Sequence, residues 1–316
     1  MFLKTAILGS GNIGCDLLCK VEKSPILSCS MFVGRTEGSS GLQFAERRGT
    51  AVYDNGVEAL FNNLDRFDLV FDATSAAAHL AHAPKLIAAG KTIVNLTPAP
   101  KGILCVPMLN GDQVLTESNV NMITCGGQAS LPILAAIRRV HENIDYIEVV
   151  SSIAAKSAGA ATRLNLDQYL NTTESAITKF TGCDSVKAVL NINPAKPSVD
   201  MQTAVSALIT HPNIDGLITE INSAVKSVQK YVKGYKIIVE PYVDGTRLFT
   251  MIRVTGQGGY LASYAGNLDI ITSSAVNIAE RLSVGVSKGV VREIDTRDKF
   301  TNGFDSRELA EPLELG

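Results

Sequence analysis

An apolar run over residues 2–8, broken by Lys4 and Thr5, leads into Gly9, Ser10, Gly11, Asn12, Ile13 and Gly14, and then into a helical pattern carried by Leu17, Leu18 and Val21. A strand, a G-x-G-x-x-G turn and a helix in that order open a dinucleotide-binding unit, and that context separates the motif from a plain glycine-rich turn. The first glycines permit the turn and the close approach of a pyrophosphate. Gly14 lets helix and strand pack together.

The pattern repeats downstream. Residues 26–34 read as a second strand, after which a dinucleotide fold usually offers an acidic residue to the adenosine ribose. Here Val33 and Gly34 are followed by Arg35, Thr36 and Glu37. Arg35 is free to accept a 2'-phosphate, to stack on adenine, or to be a solvated surface residue, so NAD and NADP both remain open. Helical stretches at residues 41–49 and 57–62 precede a buried strand at 68–72, which ends in Ala73, Thr74 and Ser75. A small-residue helix at 76–89 then leads to a strand at 91–96 and the rigid Thr97-Pro98-Ala99-Pro100 loop. This order implies a parallel sheet with helices on both faces, the ligand groups gathering at the C-terminal strand ends.

One such end carries a cysteine. Residues 118–134 read SNVNMITCGGQASLPIL, with a short strand expected at 121–124, Cys125 at its end, a tight turn at Gly126-Gly127 and a helix over 128–139. A helix start favours a nearby anion, here a thiolate. The glycines clear the path of an incoming carbonyl and leave backbone N–H groups for an oxyanion. Cys125 is therefore a candidate nucleophile, against the alternative of a small buried residue before a glycine turn.

Beyond residue 140 the pattern changes to strands at 146–153, 186–192, 236–240 and 248–254, with helices at 166–180 and 217–231. This reads as an α+β domain with a mixed or antiparallel sheet, of a kind that often pairs subunits. A last helix at 265–282 is expected to fold back on the first domain. The expected organisation is a Rossmann dinucleotide-binding domain of residues 1–127 and 265–282, a catalytic and dimerisation domain of 128–264, and a mobile tail over 283–316.

With 316 residues, 46% of them hydrophobic, and a formal net charge of −2, the chain has material for two domains. It has no dense basic cluster, which argues against nucleic acid or an anionic membrane as partner, and no apolar run of the roughly 18 to 20 residues that would span a bilayer. A cytoplasmic protein acting on small molecules is expected. Six cysteines without CxxC spacing indicate neither a zinc site nor a disulfide framework, and no metal is expected.

At ILGSGNIG, FDATSA, NVNMITCGGQA, SAGAATRLNLDQY and YAGNLDI the chain resembles the acylating acetaldehyde dehydrogenases of the aldolase–dehydrogenase complexes, from the N-terminus to about residue 282. The resemblance implies a fold like that of glyceraldehyde-3-phosphate dehydrogenase. It implies conversion of an aldehyde, coenzyme A and NAD to acyl-CoA and NADH through a thioester on the cysteine, in a homodimer that partners a 4-hydroxy-2-oxoacid aldolase. Carried over by position, the nucleophile falls on Cys125, the dinucleotide loop on Ser10 to Ile13, and the cofactor-side segment on Ser157, Ala158 and Gly159. The family's active-site asparagine falls on Asn165 and its nicotinamide-side asparagine on Asn267.

The departures matter too. Family members read NPAxPPxxMRDTV, with an aspartate assisting the cysteine, where this chain has Thr203. A threonine is no base near neutral pH, so deprotonation falls to water, to Asp200, or to a thiolate already formed. His79, His82, His141 and His211 are expected to be structural or solvated. The segment before Leu248 looks shortened, which touches the route to the aldolase. Two other readings stand beside the first: a semialdehyde or phosphorylating dehydrogenase, and a low-activity partner subunit of the aldolase.

Overall fold

The structure is a computed structural model that describes residues 2–287. Its first half alternates short apolar strands with helices: β1 (Leu3–Leu8), α1 (Asn12–Val21), β2 (Leu27–Val33), α2 (Ser40–Arg47), β3 (Val52–Tyr53) and α3 (Glu58–Phe61). There follow β4 (Leu69–Asp72), α4 (Ala76–Ala88), β5 (Thr92–Asn95), β6 (Ile103–Leu104), α5 (Pro107–Asn110) and β7 (Asn119–Asn121). These strands form one sheet in the order β3-β2-β1-β4-β5-β7-β6, and every pairing in it is parallel. Strands buried on both faces need continuous apolar runs, and β1 and β4 supply them. Ile7 and Phe71 enter the core on one face of the sheet, Ala6, Leu8 and Val70 the core on the other.

The second half begins with α6 (Cys125–Val140), β8 (Tyr146–Ala154), α7 (Ala160–Leu164) and α8 (Leu166–Thr181). It continues with β9 (Val186–Asn193), β10 (Met201–Leu208), α9 (Leu217–Gln229), β11 (Tyr235–Asp244) and β12 (Arg247–Val254). The five strands run β11-β12-β10-β8-β9, parallel at β8 with β9 and antiparallel elsewhere. The sheet is thus mixed, with one face packed on α6, α8 and α9. Strict alternation along β10, from buried Met201, Thr203, Val205 and Ala207 to half-buried Gln202, Ala204, Ser206 and Leu208, marks the covered face.

β10 was not expected from sequence, and it is the central strand of this sheet. Three more expectations are corrected. The strand at 121–124 ends at Asn121, and Gly126-Gly127 is no turn, because the helix already starts at Cys125. An expected domain boundary after residue 127 therefore falls inside α6. The final helix α10 (Gly266–Ser287) packs back on α1 and runs through the first five residues of the expected tail. The rest of that expected tail, 288–316, lies outside the described residues. No helix among the described residues is long and apolar enough to cross a membrane.

Candidate active site

Between Asn121 and Cys125 the chain turns sharply from strand to helix. Ile123 takes φ +64°, a left-handed conformation that costs a β-branched residue on the order of 1–3 kcal/mol. Its neighbours hold it there: the Asn121 Oδ1 accepts the Ile123 N–H at 2.7 Å, and Gln128 Nε2 donates to the Met122 carbonyl at 2.8 Å. Thr124 caps α6, its Oγ1 accepting the Gly127 N–H at 2.9 Å and donating to Thr173 Oγ1 at 2.8 Å, which in turn donates to the Tyr169 carbonyl. The strained turn places Cys125 at the first residue of the helix.

Cys125 opens into a cavity of about 260 Å³. Gly11, Asn12 and Ile13 of the glycine turn line it on one side, and Ser157, Gly159 and Asn165 on another. Asn267 and Leu268 from the start of α10, Thr74 after β4 and Tyr169 of α8 also line it, with Leu96, Ile123 and Ile271 among its apolar residues. Gly9, Ser10, Gly14 and Ala158 are not part of the lining. Gly9 and Gly14 instead build the turn: Gly9 holds φ +120°, and a Cβ on Gly14 would fall 1.8 Å from the Gly9 carbonyl oxygen. Ser10 Oγ faces Ser39 Oγ at 3.4 Å, and the Ala158 carbonyl accepts from Arg163 Nε at 3.2 Å.

The lining residues fit a nicotinamide dinucleotide. The Gly11 cap of α1 makes no side-chain hydrogen bond, so the helix start faces the cavity with its N–H groups open. Asn267 Oδ1 is buried without a hydrogen-bond partner, a state that native proteins rarely leave uncompensated. Asn267 belongs to the cavity lining, and a side-chain rotation would offer this acceptor to a carboxamide N–H.

Charge is what the cavity lacks. Among the residues lining it there is no Asp, Glu, His, Lys or Arg, and Cys125 and Tyr169 are the titratable ones. Asp200, considered as a base, lies elsewhere and accepts from Thr255 Oγ1 at 2.7 Å. Thr203 is 1% exposed in β10 and bonds Ser151 Oγ at 3.0 Å, behind the cavity wall. His141 is tied to the Ile137 carbonyl and the Asn213 N–H, while His211 is exposed.

Two expectations about Cys125 also change. The Gly126 N–H donates to the Tyr169 hydroxyl at 2.9 Å and the Gly127 N–H to Thr124, so neither is free for an oxyanion. The thiol is also pushed up at rest rather than down. Burial raises it, and hydrogen bonds from Tyr169 and from the backbone N–H groups of Gly126 and Cys125 offset only part of that rise. Tyr169 itself was not singled out by sequence, since nothing in a helical spacing shows that a hydroxyl 44 residues away meets the sulfur.

Behind Thr74 sits a buried polar network. Asp72 Oδ2 meets His79 Nδ1 at 2.8 Å and His82 Nε2 at 2.6 Å, and its Oδ1 accepts from the Thr74 hydroxyl at 2.6 Å. These three side chains could group around a metal ion. Each of the ligand atoms is already hydrogen-bonded within the protein, and Asn119 Nδ2 stands 3.1 Å from His79 Nε2. We therefore assign a structural role. Burial alone would raise the Asp72 carboxyl, but the hydrogen bonds from His79, His82 and Thr74 outweigh it and hold the group well below the usual carboxylate range. Asp72→Asn is expected to lose about 2 kcal/mol in urea unfolding near pH 7. Because the folded value is depressed, that loss should be full above the unfolded value of about 4 and shrink as the pH falls below it.

A second cleft of about 380 Å³ between α5, α9 and α10 carries Lys230 and Arg281 but neither the cysteine nor the glycine turn. Residues 4–116 match the family described as semialdehyde dehydrogenase, NAD binding domain, and residues 125–262 the family described as prokaryotic acetaldehyde dehydrogenase, dimerisation. The chain is 45% identical to the acetaldehyde dehydrogenase of Pectobacterium atrosepticum over 89% of its own length and 96% of that protein's. It is 48% identical to that of Spirochaeta aurantia over 88% and 94%. The chain belongs to the acetaldehyde dehydrogenase family.

As a member of that family it is an NAD-linked dehydrogenase. In solved structures the fold is similar to aspartate semialdehyde dehydrogenase II of Vibrio cholerae, at TM-score 0.61 and 14% identity over 89% of this chain and 98% of that one. It is likewise similar to aspartate semialdehyde dehydrogenase of Candida albicans, at TM-score 0.58 and 12% identity over 89% and 99%. At that identity the likeness carries the architecture: a Rossmann domain followed by a mixed-sheet domain.

Proposed function

We propose that this dehydrogenase acylates coenzyme A, interconverting a short aldehyde, coenzyme A and NAD with acyl-CoA and NADH through a thioester on Cys125. The observation that carries the reading is that one uncharged cavity brings together Cys125, the Gly11 helix start and Asn267. Cys125 adds to the aldehyde carbonyl, and coenzyme A later takes the acyl group from its sulfur. A nicotinamide, when bound, supplies the hydride acceptor or donor. Gly11 to Ile13, Ser157, Gly159, Asn165 and Asn267 position it, while Ile123, Leu96, Leu268 and Ile271 shield the reacting carbon from water.

Acetaldehyde is the expected substrate, since curated relatives at 45% and 48% identity carry that name. The phosphorylating alternative is disfavoured by the same lining, because inorganic phosphate would enter a cavity without a cationic side chain. NADH formation from acetaldehyde should therefore require coenzyme A and be indifferent to phosphate. Phosphate-dependent turnover without coenzyme A would overturn the reading.

The same proposal assigns the dinucleotide to the parallel-sheet half together with α10, and subunit pairing to the mixed-sheet half that α6 opens. The outer face of the mixed sheet is partly open, with Val189 38% and Tyr242 49% exposed, which suits a homodimer contact. The resemblance also implies a 4-hydroxy-2-oxoacid aldolase as the source of the aldehyde, testable by co-purification after co-expression. For the dinucleotide, Arg35 is exposed just beyond β2. Arg35→Asp should weaken NADP far more than NAD in fluorescence titrations, and equal losses would leave Arg35 an adenine-stacking or structural residue.

A further inference from the structure

The Tyr169 hydroxyl stands 3.5 Å from Cys125 Sγ and accepts the Gly126 N–H at 2.9 Å. With its oxygen accepting from the backbone, the phenol keeps its O–H to donate, and the sulfur lies within reach of it at 3.5 Å. The fit is close: a Cβ on Gly126 would fall 2.4 Å from the Tyr169 oxygen and 2.9 Å from Ser151 Oγ. Glycine at this position is what lets the phenol reach past the helix start. Tyr169 is itself 7% exposed, and the Thr124–Thr173 pair ties its carbonyl to the cap of the cysteine's own helix. The tyrosine and the cysteine are thus held by one continuous set of hydrogen bonds.

We propose that Tyr169 is a catalytic residue, donating a hydrogen bond to the Cys125 thiolate in a cavity that offers that anion no charged side chain. It fills a need left where this chain carries Thr203, because neither Thr203 nor Asp200 lines the cavity. The phenol stays protonated throughout. Burial, and beyond it the neighbouring sulfur, push its ionisation well above the ordinary value, so it acts as a donor and not as a base. Burial raises the thiol as well, which makes a donor at the sulfur matter more than it would in water.

The inference rests on Cys125 being the nucleophile, and its test does not depend on the identity of the acyl group. Iodoacetamide labelling of Cys125, followed by mass spectrometry across pH in the full-length chain, reads the thiol midpoint directly. Tyr169→Phe should move that midpoint up by about one to two pH units, the size expected for one charge-assisted hydrogen bond. Incorporation of 3-fluorotyrosine at 169, a stronger donor of nearly the same shape, should move it down. An unmoved midpoint in a Tyr169→Phe protein that retains its cooperative unfolding would overturn the proposal, as would a fluorotyrosine chain whose midpoint rises. A shifted midpoint in a chain that turns over no coenzyme A would fell the acylating function and leave the role of Tyr169 standing.

Discussion

Cys125→Ala is expected to lower coenzyme A-dependent NADH formation by about 10⁴-fold or more while leaving dinucleotide binding nearly unchanged. The magnitude follows from the removal of the cavity's only thiol, since covalent catalysis is lost outright and no other lining side chain can form a thioester. The selectivity follows from position: the groups proposed to hold the dinucleotide lie on the β1–α1 turn, between β8 and α8 and at the start of α10, not on α6. Stopped-flow burst kinetics and NADH fluorescence titration measure the two quantities separately. Loss of both would indicate misfolding. Full turnover in the alanine protein would remove Cys125 from the mechanism. Among the other five cysteines only Cys29 is not buried, and burial pushes its thiol up to about 12, so labelling near neutral pH should fall first on Cys125.

The opening strand, glycine turn and helix were legible because they obey local rules: a buried parallel strand, a turn that only glycine permits, and a helix that packs through Gly14. The position of Cys125 between strand and helix was legible for the same reason. The Gly126-Gly127 turn was misread because paired glycines usually break a helix, whereas here they lie inside α6. One of them is there so that Tyr169 can come close. β10 is not legible because both of its faces mix apolar and polar residues, Thr203 among Met201, Val205 and Ala207 on one and Ala204 and Leu208 beside Gln202 and Ser206 on the other, so the two-residue period carries little hydrophobic contrast. Pairing with β8 and β12 on both sides makes it a strand all the same. No local pattern could show the left-handed turn at Ile123 or the meeting of Tyr169 with the sulfur, since both depend on side chains distant in sequence.

Position 203, where the resemblance implies an aspartate and this chain carries threonine, offers the second large effect. Thr203→Asp is expected to slow the NADH burst near neutral pH by about 10- to 100-fold, through a one- to two-unit rise in the thiol midpoint. Thr203 Oγ1 bonds Ser151 Oγ, and the Ser151 and Tyr169 hydroxyls both converge on Gly126. A carboxylate at 203 reaches one bond further into that gap, puts negative charge beside the sulfur and competes for the proton that Tyr169 donates to it. No lysine, arginine or histidine lines the cavity to offset the charge. Thr203→Val removes the hydroxyl without adding charge and should leave the thiol midpoint nearly in place, which separates the electrostatic effect from a disturbed Ser151. Burst amplitude and rate, measured with acetaldehyde and with a bulkier aldehyde, decide the matter. If Thr203→Asp speeds the burst with both aldehydes, the cavity was short of a base, and the account in which Tyr169 and burial set the behaviour of Cys125 fails.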